Sequence, residues 1–279
     1  MSVRLYFGNE APPVSPAYDA AWEVTASAIR RNLEFTQGQG SAAFENKGVG
    51  GTLNSPAGAV DVLLIQYTSD PLSADQTISG AIKGQIRALS SNAAADLDTQ
   101  MVIWVMKTDG TSRGTLIAVN TAALANEWFT SSRNIKLPKG GSTVPTSVAA
   151  LATDRIVVEL GYRKHESATT SRTGTVASGN PTGTDLAEDE TTTTANVGWI
   201  EFADTLTFTS DYVRVTQVAV EVLEAPDTSL VNARVTQVAV EVLEQPDISL
   251  VSARVTQVAV EVLHANVSTP QPMSAGIIG

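Results

Sequence analysis

Carboxylate side chains are the first candidates for chemistry in this sequence. Glu159 and Glu201 lie in apolar, β-branched segments that predict strands, and Asp185 and Glu188 lie in the loop between those segments. Two carboxyl groups can cleave a glycosidic bond, one as the acid and the other as nucleophile or base, when the fold holds them at the required separation. The alternative is that these acids face solvent or form salt bridges. The spacing in the sequence leaves both alternatives open.

The same loop concentrates oxygen ligands of the kind that Ca²⁺ prefers. Its acids are Asp185, Glu188, Asp189 and Glu190. Their carboxylate oxygens suit Ca²⁺, although their spacing does not match the EF-hand pattern. The alternative is a solvated run of charge in which one acid caps a turn. The sequence therefore predicts a candidate Ca²⁺ site in this loop and no other cofactor.

Tryptophan side chains could provide a platform for sugar rings, because an indole presents a broad apolar face. Trp104 lies in MVIWVM and Trp199 in GWIEF, two apolar settings that predict core packing. Trp128 lies in the more polar NEWF and is the better candidate for a glycan-binding residue. Burial in the core is the alternative for Trp128 as well.

Other catalytic groups are scarce. The chain has no cysteine and two histidines, His165 and His264, neither of which has a second histidine at metal-ligand spacing. The patterns H-E-x-x-H, G-x-S-x-G and C-x-x-C are absent. In the glycine-rich stretch 139–143 the lysine precedes the glycines, contrary to the order in a phosphate-binding loop. We therefore expect no catalytic residues and a protein that is not an enzyme.

Charge and hydropathy disfavour two classes of partner. The formal net charge is -11 and no extended basic patch is present, which disfavours nucleic acid. No run of about 18 consecutive apolar residues predicts a membrane-spanning helix. The N-terminal residues lack the pattern of a secretion signal. We expect synthesis in a cytoplasm and no membrane insertion.

The elements that must position these residues are predicted to be many short strands. Segments rich in Val, Ile and Thr alternate with Gly, Pro, Asn and Asp, which is typical of a sandwich or jelly roll. Residues 108–111 predict a hairpin turn and 167–196 a long loop, and only 16–31 and 121–129 have any helical character. We predict an all-β fold in which residues 1–210 form a jelly-roll-like β-sandwich domain. The clearest strand segments are 61–67, 77–88, 99–107, 115–119, 155–162, 197–202 and 205–208.

The C-terminal part contains a three-copy repeat with a period of 20 residues. The decapeptide RVTQVAVEVL recurs unchanged at 214–223, 234–243 and 254–263, and the two connecting decapeptides differ at only three positions. Such a period is typical of stacked-strand arrays. Residues 211–279 are therefore predicted to form a separate β-repeat segment that serves assembly or docking.

The repeated decapeptide alternates in the manner of a strand with one apolar face. Three valines at alternate positions lie on one side, and Gln, Ala and Glu lie on the other. A single sheet of such strands cannot cover its own apolar side, so the N-terminal domain or the same repeat of neighbouring subunits must pack on it. We favour neighbouring subunits, most simply in a homotrimer. The predicted interface residues are Val218, Val220, Val222, Val238, Val240, Val242, Val258, Val260 and Val262.

A family resemblance is carried by the segments SDPLSADQTISGAIKGQIRALSSNAAADLDTQMVIWVMKTDGTSRGTL (69–116), TDRIVVELGYR (153–163) and TDLAEDETTTT followed by WIEF (184–202). Together with the RVTQVAVEVL repeats they resemble β-rich, virion-associated proteins of tailed bacteriophages and environmental viral sequences. The resemblance covers most of the chain and transfers no catalytic residue.

The resemblance implies a non-enzymatic structural part of the virion, such as a decoration, neck or tail appendage protein, which contacts other virion proteins. Such a part is made and assembled in the host cytoplasm. The alternative function is a carbohydrate-binding or receptor-binding module of a phage adhesion apparatus, which would recognise host surface glycan.

Overall fold

The chain divides into two compact units, Met1–Tyr212 and Val213–Gly279. Their structure is a computed structural model, in which the first unit is all-β in its described part. Among the described residues no helix is long and apolar enough to cross a membrane. The structure describes residues 2–26, 28–37, 45–48, 60–92, 97–120, 128–138, 140–164, 173–179, 183–209, 218–219 and 239–240.

Thirteen strands lie in the described part of the first unit and two in that of the second. In chain order they are β1 Val3–Phe7, β2 Ile29–Glu34, β3 Glu45–Gly48, β4 Val60–Pro71, β5 Gln76–Ile78, β6 Ile82–Ser90, β7 Leu97–Met106, β8 Ser112–Ile117, β9 Arg133–Leu137, β10 Val148–Ala150, β11 Arg155–Lys164, β12 Gly174–Ser178, β13 Trp199–Phe202, β14 Val218–Ala219 and β15 Ala239–Val240.

The first unit is built on one large sheet with the strand order β3-β12-β6-β13-β1-β2-β4-β11-β7-β8, in which β9 also pairs with β6. β2 runs antiparallel to β1 and parallel to β4, and it joins two halves. We call β4, β11, β7 and β8 the front sheet, and β3, β12, β6, β13, β1 and β9 the back sheet. Strands β5 and β10 form a separate pair.

The two halves pack face to face over one main core, which makes the domain a β-sandwich. Leu5 and Ile200 of the back sheet share this core with Leu64, Ile103 and Val158 of the front sheet. The all-β, sandwich-like fold predicted from the sequence is therefore confirmed.

Burial on both faces explains the sequences of the three longest strands. β4, β7 and β11 are buried along almost their whole length. The inner face of the front sheet contributes to the main core, while Trp22, Leu63 and Val157 belong to a second apolar cluster. Because successive side chains of a strand point to opposite faces, this second cluster lies on the outer face of the front sheet.

The expected strands are largely present, with two changes. The segment 77–88 is two strands, β5 and β6, because the chain turns at Ser79 and Gly80, whose backbone N–H groups donate to Asp204 at 2.8 and 2.7 Å. In the segment 205–208 only Phe208 forms a bridge, with Leu72.

The turn predicted at 108–111 is confirmed. It connects the antiparallel strands β7 and β8. Gly110 adopts a φ of 83°, a left-handed conformation that glycine tolerates without steric cost.

The helical character suggested for 16–31 is wrong for the described residues. The segment ends in strand β2 and begins with an irregular stretch, in which the carbonyls of Pro16 and Ala17 accept hydrogen bonds from Arg30 of β2 and Gln66 of β4. In 121–129, residues 121–127 lie outside the described part, and Trp128 and Phe129 are not helical. The loop expected at 167–196 contains strand β12, which pairs with β6.

The second unit is described at four residues. Val218 pairs with Val240, and Ala219 with Ala239, in an antiparallel ladder between the first and second repeat copies. The other predicted interface valines, Val220, Val222, Val238, Val242, Val258, Val260 and Val262, lie outside the described residues.

Candidate functional site

The most unusual group in the described residues is the carboxylate of Glu159, at the centre of β11. Its exposed fraction is 0%. Gln66 Nε2 donates to Oε1 at 2.9 Å, and the backbone N–H of Asp19 lies 3.1 and 3.2 Å from the two oxygens. Trp22 Nε1 donates to Oε2 at 2.6 Å, and Trp104 Nε1 lies 3.4 Å from Oε1. These N–H donors form a site suited to an anion, and the Glu159 carboxylate occupies it.

The segment over Glu159 comes from the N-terminal part of the chain. Residues 11–22, which we call the strap, cross the outer face of the front sheet between β1 and β2. The Trp22 ring packs over Gly161, where a Cβ atom would lie 2.8 Å from the ring and 1.9 Å from the carbonyl oxygen of Val62. Only glycine at position 161 lets the strap approach β11 this closely.

Burial dominates the electrostatics of Glu159. Removal from water raises the pKa of the Glu159 carboxyl, and the hydrogen bonds from Gln66, Asp19, Trp22 and Trp104 oppose that rise only in part. No cationic side chain among the described residues bonds to this carboxylate. A general acid needs access to its substrate, and here the strap fills the space above the carboxyl group.

A second cluster of charges lies on the outer face of the back sheet. Arg4 of β1 donates from Nε to Glu201 at 3.0 Å and also pairs with Asp185. Its guanidinium lies 3.8 Å from the centroid of the Trp199 ring. Burial lowers the pKa of Arg4, but its bonds to Glu201 and Asp185 outweigh that effect and the pKa is raised overall. Gln37 also donates to Asp185.

Lys83 of β6 extends this cluster toward the acidic loop. Its ammonium lies 2.6 Å from Glu188 and 3.7 Å from Glu201. The hydrogen bond to Glu188 raises the pKa of Lys83. Cations thus lie between the acids that were candidates for a hydrolytic pair, and Glu159 shares no hydrogen-bond partner with them.

Asp189 has a different role from its neighbours in the loop. It accepts hydrogen bonds from the backbone N–H groups of Thr191 and Thr192 at 3.1 and 2.9 Å, and from the Thr192 hydroxyl at 2.6 Å. These bonds lower the pKa of Asp189. Asn134 also donates to it, at 3.3 Å. Asp189 therefore caps a turn and fixes the loop to β9.

The candidate Ca²⁺ ligands are close in sequence but have different protein partners. Asp185 pairs with Arg4, Glu188 pairs with Lys83, and Asp189 caps the turn. Glu190 is also engaged in an interaction. Within the described ranges, no three His, Cys, Asp or Glu side chains are grouped so that they could hold a metal ion. The Ca²⁺ site stays a prediction.

The choice of Trp128 as a surface platform is incompatible with its position. Trp128 is 2% exposed, and its Nε1 donates to the Thr99 hydroxyl at 2.8 Å. Its ring packs edge-on against Tyr162, with centroids 5.6 Å apart. A ring covered by the main core has no free face for a sugar. The two histidines lie outside the described residues.

No sequence pattern indicates that several residues of these clusters take part in them. Arg4 and Gln66 are isolated polar residues in apolar segments, and the strap has the Pro-rich composition of an ordinary loop. The one available hint is Gly161 inside a strand, which often marks a close approach by another segment.

Comparisons with known proteins leave the family open. No family model matches the chain, and no curated protein matches it. Among solved structures, it is similar to an aminopeptidase from the marine sediment archaeon Thaumarchaeota archaeon, at 11% identity over 72% of this chain and 36% of that one, with a TM-score of 0.42.

Two other similarities are weaker still. A CocE/NonD family hydrolase from Staphylococcus aureus has 8% identity over 73% of this chain and 36% of its own, with a TM-score of 0.37. The VP2 protein of infectious bursal disease virus has 14% identity over 58% and 34%, with a TM-score of 0.20. The chain spans about a third of the length of these proteins. Likeness at this level assigns neither an activity nor an assembly.

Proposed function

We propose that this protein is a non-enzymatic structural component of a tailed-phage particle that assembles through its C-terminal repeats. The observation that carries the proposal is that segments of the chain itself lie on the outer faces of both sheets of the sandwich. The proposed partners are copies of the same chain, most simply in a homotrimer, and other virion proteins.

The outer face of the front sheet is covered by the strap. Trp22 and Tyr18 pack there against the second apolar cluster, and Trp22 is itself buried. The indole N–H groups of Trp22 and Trp104 are both directed at Glu159. An apolar partner could reach this face only by displacing the strap.

The outer face of the back sheet is covered by the acidic loop. Trp199 is 1% exposed and donates from Nε1 to the carbonyl oxygen of Leu186 at 2.8 Å. The face beside it carries Arg4, Lys83 and Glu201, which are bonded to each other and to the loop. A charged and covered surface of this kind is a poor partner for a row of valines.

We propose that the valine faces of the repeat pack on those of a second copy of the chain. The pairing of Val218 with Val240 supports this, because it shows that two copies of the repeat can pair with each other. Since the decapeptide is identical in all three copies, a copy from another chain offers the same residues in the same order. Identical strands with one apolar face form stacked assemblies readily.

The acids support a non-enzymatic role. Glu159 lies under the strap, and Glu201 and Asp185 share the guanidinium of Arg4. The phage assignment rests on the sequence resemblance. The glycan-binding alternative loses its proposed platform, because Trp128 is buried.

Substitutions on the two faces of the repeat test the proposal. A triple Val→Asp variant on the valine face should abolish the oligomer, because carboxylates would be buried between copies. The matched control places the same three charges on the opposite face and should leave the oligomer intact. The valine-face positions are Val218, Val238 and Val258, and the control positions are Ala219, Ala239 and Ala259.

Sedimentation velocity would report the result. Equal oligomer content in both triple variants would contradict assembly through the valine faces, and so would a monomeric wild-type chain.

A further inference from the structure

The described part of the repeat has a symmetric register. Ala219 lies opposite Ala239, and Val218 lies opposite Val240, in an antiparallel pair. Counted from the Arg of each decapeptide as position 1, Ala219 and Ala239 both occupy position 6. The pair is therefore centred on the same residue in both strands, and exchanging the two strands leaves the register unchanged. A strand with this property can pair in the same way with any strand of its own sequence.

Charges at the two ends of the repeat favour the same register. Position 1 is Arg in every copy, and position 11, the residue after the decapeptide, is Glu in the first two copies. Continued along the sequence, a register centred on position 6 sets position 1 opposite position 11. For the first two copies this sets Arg214 opposite Glu244, and Arg234 opposite Glu224. Opposite charges directly across an antiparallel pair stabilise it.

The third copy departs from this pattern at its end, where position 11 is His264. Copy 1 facing copy 1 of a second chain in this register would form two Arg–Glu pairs, because Arg214 of each chain meets Glu224 of the other. Copy 3 facing copy 3 would form none, because Arg254 meets His264. The charges therefore favour the first copy as the strand that a second chain fits.

The composition of the decapeptide does not protect an edge from strand pairing. Among the described strands, Val218–Ala219 has one partner, so its other edge has no described neighbour. Natural sheets protect such edges with proline, lysine or bulges. The decapeptide contains neither proline nor lysine, and the register sets its Glu at position 8 opposite the Gln at position 4, which can donate a hydrogen bond to it.

We propose that copy 1 of the repeat pairs with copy 1 of a second chain, antiparallel and with Ala219 opposite Ala219. Copy 2 then lies between the first and third copies of its own chain. The inference rests on the proposed function, because it takes the repeat to serve assembly, and it adds a second contact. The valine faces pack one sheet on another, whereas this edge continues the sheet from one chain into the next. It joins chains in twos and links one valine-face oligomer to another.

Single cysteines test the pairing, since the chain has no cysteine of its own. In full-length Ala219→Cys the two thiols would lie directly opposite, with Cα atoms about 4.5–5.5 Å apart, a distance that a disulfide spans. Exposed Arg–Glu pairs contribute little, so the contact is weak and the protein should be oxidised at high concentration. We expect a covalent dimer. The matched control, Ala239→Cys in the enclosed second copy, should stay unlinked.

A second pair of variants tests the register. The proposed pairing sets Gln217 opposite Glu221 of the other chain, so a mixture of Gln217→Cys and Glu221→Cys chains should give the mixed disulfide. Gln217→Cys alone should give none, because its two thiols would lie about 13 Å apart along the strands. These positions lie on the face opposite the valines, so packing of the valine faces cannot link them. Equal crosslinking of Gln217→Cys alone and of the mixture would overturn the register.

The third copy offers a gain of function. Ala259→Cys should crosslink less than Ala219→Cys, because Arg254 has no acid opposite it. Addition of His264→Glu to Ala259→Cys should raise the yield of dimer to that of Ala219→Cys. A yield that does not change would contradict the selection of the edge by its Arg–Glu pairs.

The outcomes separate this proposal from the proposed function. Reduced Ala219→Cys may be compared with the wild type by sedimentation before it is oxidised. If it keeps the wild-type oligomer but gives no disulfide, or if Ala239→Cys crosslinks equally well, the edge pairing is wrong and assembly through the valine faces stands. A wild-type chain that is monomeric contradicts both.

Discussion

Trp22 donates its indole N–H to Glu159 at 2.6 Å although the two residues lie 137 positions apart in the chain. The bond joins the irregular N-terminal strap to the central strand of the front sheet. It connects a segment without regular structure to the most buried carboxylate of the described sandwich. The contribution of this contact to stability is directly measurable.

Replacement of Glu159 by Ala should destabilise the protein by roughly 3 kcal/mol, because buried donors of Trp22, Gln66 and Asp19 lose their acceptor and a cavity forms. Urea denaturation would measure the change in the free energy of unfolding. The matched control is Glu188→Ala, whose side chain is 52% exposed and pairs with Lys83. The control should lose less than about 1 kcal/mol. Equal losses would contradict the assigned role of Glu159.

Replacement of Gly161 by Ala should displace the strap, because the new Cβ would overlap the Val62 carbonyl and the Trp22 ring. We expect a loss of about 2 kcal/mol or more in unfolding free energy, together with greater solvent access to Trp22. Gly183→Ala is the control, since nothing lies within 4 Å of its Cβ position. Wild-type stability in Gly161→Ala would show that the strap does not pack as described.

Replacement of Arg4 by Met should loosen the acidic loop. The variant loses the pairs to Glu201 and Asp185 and the stacking on Trp199. Because these groups are only partly buried, the expected loss is on the order of 1–2 kcal/mol, and it should shrink at high salt. Thermal unfolding at low and high salt would test this. Arg133→Met, which removes a guanidinium stacked on Phe129, should change stability less.

Calcium should have little effect on the acidic loop as it is arranged here. Asp185 would have to leave Arg4, and Glu188 would have to leave Lys83, before either could bind the ion. We expect about 1 mM Ca²⁺ to leave the thermal midpoint unchanged, since only a ligand that binds the folded state raises it. A calcium-dependent rise that is lost in Asp185→Asn would instead establish the predicted site.

The long central strands could be predicted from the sequence because burial on both faces leaves a continuous apolar signal, as in β4, β7 and β11. β2 and β12 were missed for the opposite reason. Four of the six residues of β2 (IRRNLE) are polar, and β12 (GTVAS) is short and made mostly of small residues. Both become strands through pairing with distant partners, which local composition does not encode.

The candidate site was predictable only in part. Glu159 and Asp185 were identified as acids of interest, but their partners Trp22 and Arg4 come from distant segments. Trp128 is a residue that the sequence predicts at the surface and that the fold buries. Its polar neighbours indicate a surface, while its ring is covered by Tyr162 of another strand. Side-chain environment depends on tertiary contacts, and residue type carries little information about it.

The mass of the protein in solution tests the central proposal most directly. Sedimentation equilibrium of the full chain should give an oligomer, most simply with three times the chain mass, and a chain shortened to the first unit, residues 1–212, should be monomeric. A monomeric full chain, or a shortened chain that keeps the same oligomeric state, would contradict assembly through the C-terminal repeats.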